Sequence, residues 1–238
     1  MPDMGQHTEA VEKPPEFEDH SKKAFEDTVR AILTTFGVFT GFAIKSTIDG
    51  INFPTSPSWC AFLTTVNDFH LFICIATVSL LLRFIVGSAV HLNLCYVAEP
   101  RSKKPVMLFK DLAFLVVFGL CAIYMIKTGT VPTKPGEVAT MQPGDVPVFA
   151  NRASLFIIVG LIWSAVDWFV RLGQSDKGEQ ALFSCRWIGV DIVQLALIAA
   201  VLRWSDDPWR QSFWLAAVFA LALYVDMKIV LAARKLKP

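Results

Sequence analysis

From Ala24 onward, long apolar blocks alternate with short polar ones, and each block is close to the roughly 20 residues a helix needs to cross hydrocarbon. This spacing predicts helices near 26–46, 67–97, 107–127, 149–172, 186–204 and 210–233. The second block is too long for one straight span, so the stretch leading in from Trp59 is expected in the interface. The polar segments "STIDGINFPTSPSW", "TGTVPTKPGEVATMQPGDVP" and "SDDP" are rich in Pro, Gly and small polar residues, and so are irregular. The first 23 residues carry a Pro pair and many acids and lack an apolar run. They read as a loosely packed acidic tail, with no cleavable signal, so the first span is its own insertion signal. The expected architecture is all-α and polytopic: a cytoplasmic tail over 1–23, then a six-helix transmembrane domain over 24–238.

Composition fits that reading. Hydrophobic residues make up 54% of the 238 and charged residues only 18%, more apolar than a soluble domain of this size. The net charge of +1 matters less than where the cations fall. Fifteen of the 22 Lys and Arg lie in the tail, the 98–110 and 171–186 loops and the C-terminus; six lie on the opposite side, and Arg83 is inside a span. The positive-inside rule then makes both termini cytoplasmic, which requires an even number of spans and agrees with six. The plasma (inner) membrane is the expected location. Short basic runs such as "PRSKKP" set topology and contact anionic lipid; nucleic-acid binding has no support. The seven Trp mostly fall near span ends, as an aromatic belt would have them.

Ionised side chains inside a span are costly and are functional suspects. The second, fourth and sixth blocks align as 17-residue runs, "NDFHLFICIATVSLLLR", "NRASLFIIVGLIWSAVD" and "RQSFWLAAVFALALYVD", which end at Arg83, Asp167 and Asp226. The alignment allows a reading as three repeated helical hairpins. Counting about 1.5 Å per residue puts all three charges about 24 Å below the outer face, and Asp191, five residues after Arg186, at a similar depth. A single charge layer is therefore expected, with Arg83 paired to one or more of Asp167, Asp191 and Asp226. Three carboxylates against one guanidinium do not balance; water, a second cation or bound protons must answer the excess. The competing reading leaves Asp167 and Asp226 at the inner interface, served locally by Arg171 and Lys228.

Other features carry less. Asp68 and His70 form a polar pair near the outer face that could titrate or bind a cation, and equally read as a solvated helix start. His70 and His91 have the spacing of two haem ligands on one helix, but no other span supplies a His, so no cofactor is expected. Gly37 and Gly41 have the G-x-x-x-G spacing that lets helices approach closely, within the chain or between copies. Thr34, Thr35 and Thr40 could line a polar face, though Thr in a helix usually bonds its own backbone. Five Cys show no C-x-x-C spacing and read as small packing residues. No nucleotide loop, metal motif or hydrolase motif is present, and no enzyme activity is expected.

Two functions remain. One is a small channel or transport unit for ions or protons, built as a homo-oligomer because six spans seldom enclose a path alone. The other is a non-conducting scaffold, sensor or accessory subunit that works with other membrane subunits. Intramembrane acid–base catalysis on a lipid is a distant third.

Overall fold

The computed structural model describes residues 69–92, 105–126, 144–172 and 178–235, with residue 96 and parts of 23–45. Five helices are complete: α1 (Phe69–Leu92), α2 (Pro105–Ile126), α3 (Asp145–Leu172), α4 (Gly178–Trp204) and α5 (Pro208–Lys235). Ahead of them, residues 30–38 are also helical. No strand occurs among the described residues. All five complete helices are long and apolar enough to cross a bilayer.

The helix ends follow from local chemistry. Asp207 caps α5: its carboxylate accepts the Trp209 amide at 3.2 Å and its carbonyl accepts that of Gln211 at 2.9 Å. Pro208 follows at the first helical position, where a missing N–H costs nothing. Only residues 205–207 separate α4 from α5, so the two fold back as a hairpin. α3 begins at Asp145, earlier than its apolar block, because an acid and Pro147 suit a first turn. α4 begins at Gly178, eight residues before the expected span, because "GEQALFSC" continues the helix with polar residues.

Side-chain contacts fix the directions. Phe72 meets Phe213, and farther along Arg83 meets Asp226, so α1 and α5 run parallel. Phe84 meets Phe118 and His91 meets Asp111, so α2 runs against α1. Trp163 reaches Asp111, so α3 runs against α2; Ser184 reaches Asp167, so α4 runs against α3. The bundle thus has a Phe69 end and a His91 end.

α1 is the central helix: 56% of its span is buried, against 17% for α4. The core on the Phe69 side is largely carbon, with Ala76, Leu80, Phe149, Phe156, Leu215 and Phe219 all buried, and its buried polar residues, Thr77, Ser79, Gln211 and Ser212, are uncharged. Thr77 spends its hydroxyl on the Ile73 carbonyl at 2.8 Å; Thr34 and Thr40 do the same with Arg30 and Phe36 at 2.9 Å. That is the backbone-bonding reading of the first block's threonines. The outer faces of the bundle carry large exposed apolar side chains, among them Val116, Leu120, Ile192, Val193 and Leu221. Cys74, Cys121 and Cys185 are free thiols.

Candidate functional site: two buried charge clusters

The charges inside the bundle form two groups. The first centres on Arg83 of α1, which is 4% exposed. Its guanidinium meets three side chains: Nη2 lies 2.7 Å from Asp191 Oδ1, Nε donates to Asp226 Oδ2, and Nη1 donates to Gln194 Oε1. Asp191 and Gln194 are three apart on α4 and so share the face turned to α1. Asp226 arrives from α5, the helix packed most extensively on α1. The Trp187 ring lies over the guanidinium, 5.6 Å from its carbon to the ring centroid. Among the polar atoms buried in this region without a hydrogen-bond partner are Asp226 Oδ1, Gln194 Nε2 and Ser88 Oγ. Each such atom costs about 1–3 kcal/mol unless something fills its need.

The second group gathers at the His91 end. Asp111 of α2, 2% exposed, accepts on both oxygens. Oδ1 takes the Trp163 indole N–H at 2.9 Å and lies 3.0 Å from Lys110 Nζ; Oδ2 takes the Tyr96 hydroxyl at 2.6 Å and lies 3.3 Å from His91 Nε2. Asp167 of α3 accepts the Ser184 hydroxyl at 2.9 Å. His91 and Lys110 bridge the two acids: His91 Nδ1 is 3.9 Å from Asp167 Oδ2, and Lys110 Nζ is 3.7 Å from Asp167 Oδ1.

A cavity of about 80 Å³ lies against both groups. Arg83 and Asp191 line one part of it, and His91, Asp167 and Ser184 another, with Ser88 and Ser164 also on its wall. From Arg83 to His91 is eight residues, about 12 Å along α1. Gly87 and Gly160 shape the wall. A Cβ on Gly87 would stand 2.5 Å from the Trp187 ring, and one on Gly160 would stand 3.4 Å from Phe118 and 3.7 Å from Asp191 Oδ2. Beyond Arg83 toward Phe69, no charged side chain is buried among the described residues.

The expected single layer of four charges needs correction. Arg83, Asp191 and Asp226 are together; Asp167 is not with them. Antiparallel packing sets Gly160 beside Asp191, which leaves Asp167 seven residues, about 10 Å, nearer the His91 end. Asp226 is 0% exposed and bound by Arg83, so it is not an interfacial acid served by Lys228, whose ammonium lies over Tyr224. Asp167 is 6% exposed, and its contacts come from three other helices. Asp68 and the His70 side chain lie outside the described residues. Among the described residues no helix approaches Gly37 or Gly41: a Cβ on either meets nothing within 4 Å, so the packing described does not use them. Trp163 and Trp187 are bundle residues, not belt residues, whereas Trp204, Trp209 and Trp214 are exposed.

Sequence reasoning missed Asp111, Lys110, Tyr96, Gln194 and the two wall glycines. Asp111 had a readable signal, an acid inside the apolar run "LFKDLAFLVV". Gln194 could have been found as the polar residue one turn beyond Asp191.

No family model, curated protein or solved structure matches this chain.

Proposed function

We propose that the chain is a polytopic membrane protein that moves protons, alone or with a small cation, through the polar cavity inside each protomer. The observation that carries this reading is buried acid on both sides of one cavity, in excess of cation at Arg83 and matched at the other end only when His91 is protonated. Arg83 faces two carboxylates, and Lys110 with His91 faces two more. Leaving a net charge in a low-dielectric interior costs several kcal/mol, so each group is suited to hold a proton and release it as its neighbours change. Membrane insertion is supported by five long apolar helices and by their exposed apolar faces, which water would not tolerate at this extent. The distribution of Lys and Arg supports a cytoplasmic placement of the His91 end and of both termini. The cavity lies within one chain, so association of copies through the exposed faces of α2 and α4 is not needed to enclose it.

Proton flux into proteoliposomes, at fixed potential and pH, tests the reading. Wild type is expected to acidify vesicles. Asp226→Asn and Asp167→Asn, reconstituted as folded protein, are expected to slow that flux. Flux unaltered by both substitutions removes the two clusters from the path.

One observation favours a second reading. The packing between Arg83 and Phe69, which holds no buried charge among the described residues and whose buried polar groups are the uncharged Thr77, Ser79, Gln211 and Ser212, separates the cavity from the far end of the bundle. A non-conducting sensor or accessory subunit would need only that one-sided cavity. Wild-type protein that is folded and silent at both polarities selects this reading.

A further inference from the structure

The cavity between the two clusters has a definite chemistry. Its charged nitrogens are already engaged: the three of Arg83 face Asp226, Gln194 and Asp191, and the two of His91 face Asp111 and Asp167. What the wall offers a guest is therefore acceptors. Asp191 and Asp167 contribute carboxylates, and Ser88 contributes a hydroxyl that is 2% exposed and has no hydrogen-bond partner. The remaining wall is carbon, much of it aromatic, including Phe84, Phe118, Phe156 and Trp163.

An anion is disfavoured by this inventory, because two carboxylates stand on the wall and the charged nitrogens beside them already face carboxylate or amide oxygens. A hard metal ion wants about six oxygens, and no group of His, Cys, Asp and Glu suited to a metal occurs among the described residues. A cation with one polar head and a short carbon body matches both kinds of wall. Its N–H groups go to carboxylate and hydroxyl oxygens, and its methylene groups and charge lie against aromatic faces. Size sets the upper limit. A cavity of 150 Å³ takes benzene, so about 80 Å³ admits roughly three or four non-hydrogen atoms.

We propose that this cavity is a binding site for a small primary ammonium ion, of the size of ethylammonium. The proposal rests on reading the cavity as the transport path and names the class of cation that travels it.

The test is a titration of the purified full chain in lipid nanodiscs with ethylammonium chloride at constant ionic strength. Fluorescence is the readout, since Trp163 and Trp187 line the cavity. A saturable change is expected, with no matching change from uncharged n-propanol or from bulky tetrabutylammonium. Asp191→Asn is expected to weaken binding about tenfold or more through loss of the charge-assisted acceptor. Ser164→Leu, which fills the cavity, is expected to abolish it. Absence of a saturable response in wild type, equal binding of n-propanol, or wild-type affinity in Asp191→Asn overturns the proposal and leaves a cavity that holds only water. If Asp191→Asn fails to fold, retained binding in Ser164→Leu overturns it equally. Ammonium binding without proton flux keeps the site and removes the transport reading. Proton flux without ammonium binding does the reverse.

Discussion

Replacing Gly87 by alanine tests how closely α1 and α4 are fitted around the cavity. Two effects of opposite sign compete. Alanine inside a helix gains about 1 kcal/mol over glycine. Against that, the new Cβ would stand 2.5 and 2.6 Å from two atoms of the Trp187 ring, far inside contact distance. The ring must move. Overpacking of this kind costs about 1–3 kcal/mol, and displacing the indole from Arg83 forfeits a further 0.5–2 kcal/mol or so of cation–π attraction. The clash wins, and Gly87→Ala is expected to destabilise by about 1–3 kcal/mol. Gly119→Ala is the internal reference: its Cβ meets nothing within 4 Å, so it keeps the helix gain without a clash. The assay is reversible unfolding in mixed micelles, run as a double-mutant cycle with Trp187→Leu. In that background the penalty at Gly87 should vanish or change sign. An equal penalty with and without the indole refutes the steric argument, as does a Gly87→Ala protein no less stable than Gly119→Ala.

Removing the central cation leaves two acids in the bundle with no counter-charge, so Arg83→Met is expected to cost about 3–5 kcal/mol in the same unfolding assay, more than Asp226→Asn. Trp163→Phe keeps most of the packing and deletes one N–H to Asp111; a loss of about 1.5–3 kcal/mol is expected, and a loss near zero would mean that Asp111 is satisfied without it. Asp207→Ala removes the cap of α5 and should cost about 1 kcal/mol, seen as earlier fraying of the α4–α5 hairpin in amide exchange. Gly41→Leu should leave protomer stability within about 0.5 kcal/mol; a larger loss would reveal a partner surface at the first block.

The helices were legible because an apolar block of fixed length has few alternatives. Their starts were less so. "GEQALFSC" mixes polar and apolar residues, and nothing in hydropathy separates a helix that overshoots the lipid from a loop. That Arg83 meets one or more acids inside the bundle was legible from charge and depth; that they are Asp191 and Asp226 was not. Asp167 was misplaced for a geometric reason. Depth was counted from aligned block starts, whereas Arg83, Asp167 and Asp226 stand 14, 22 and 18 residues after the first residues of their helices. Equal offsets in an alignment do not give equal heights when helices begin at different levels. The repeat-equivalent positions accordingly sit in two different surroundings. Asp111 escaped notice because Lys110 and the basic loop before it make it look interfacial; only packing shows the Trp163 indole over it. The glycines at 87 and 160 had no motif, because what they admit lies on other helices.

The separation in sequence between Arg83 and Asp226, 143 residues, has a consequence for how the protein is made. Asp111 and its partners His91, Tyr96 and Trp163 emerge from the ribosome as neighbours, so the end cluster can close early. Arg83 has no such neighbour. At synthesis rates of about 5–20 residues per second, roughly 7–30 s pass between its emergence and that of Asp226. Until Asp191 of α4 emerges, and then Asp226 of α5, the guanidinium on the central helix is without the counter-ions of its final site. α1 therefore emerges well before its charge partners, and a nascent chain that stalls before α4 carries that cation without either of them.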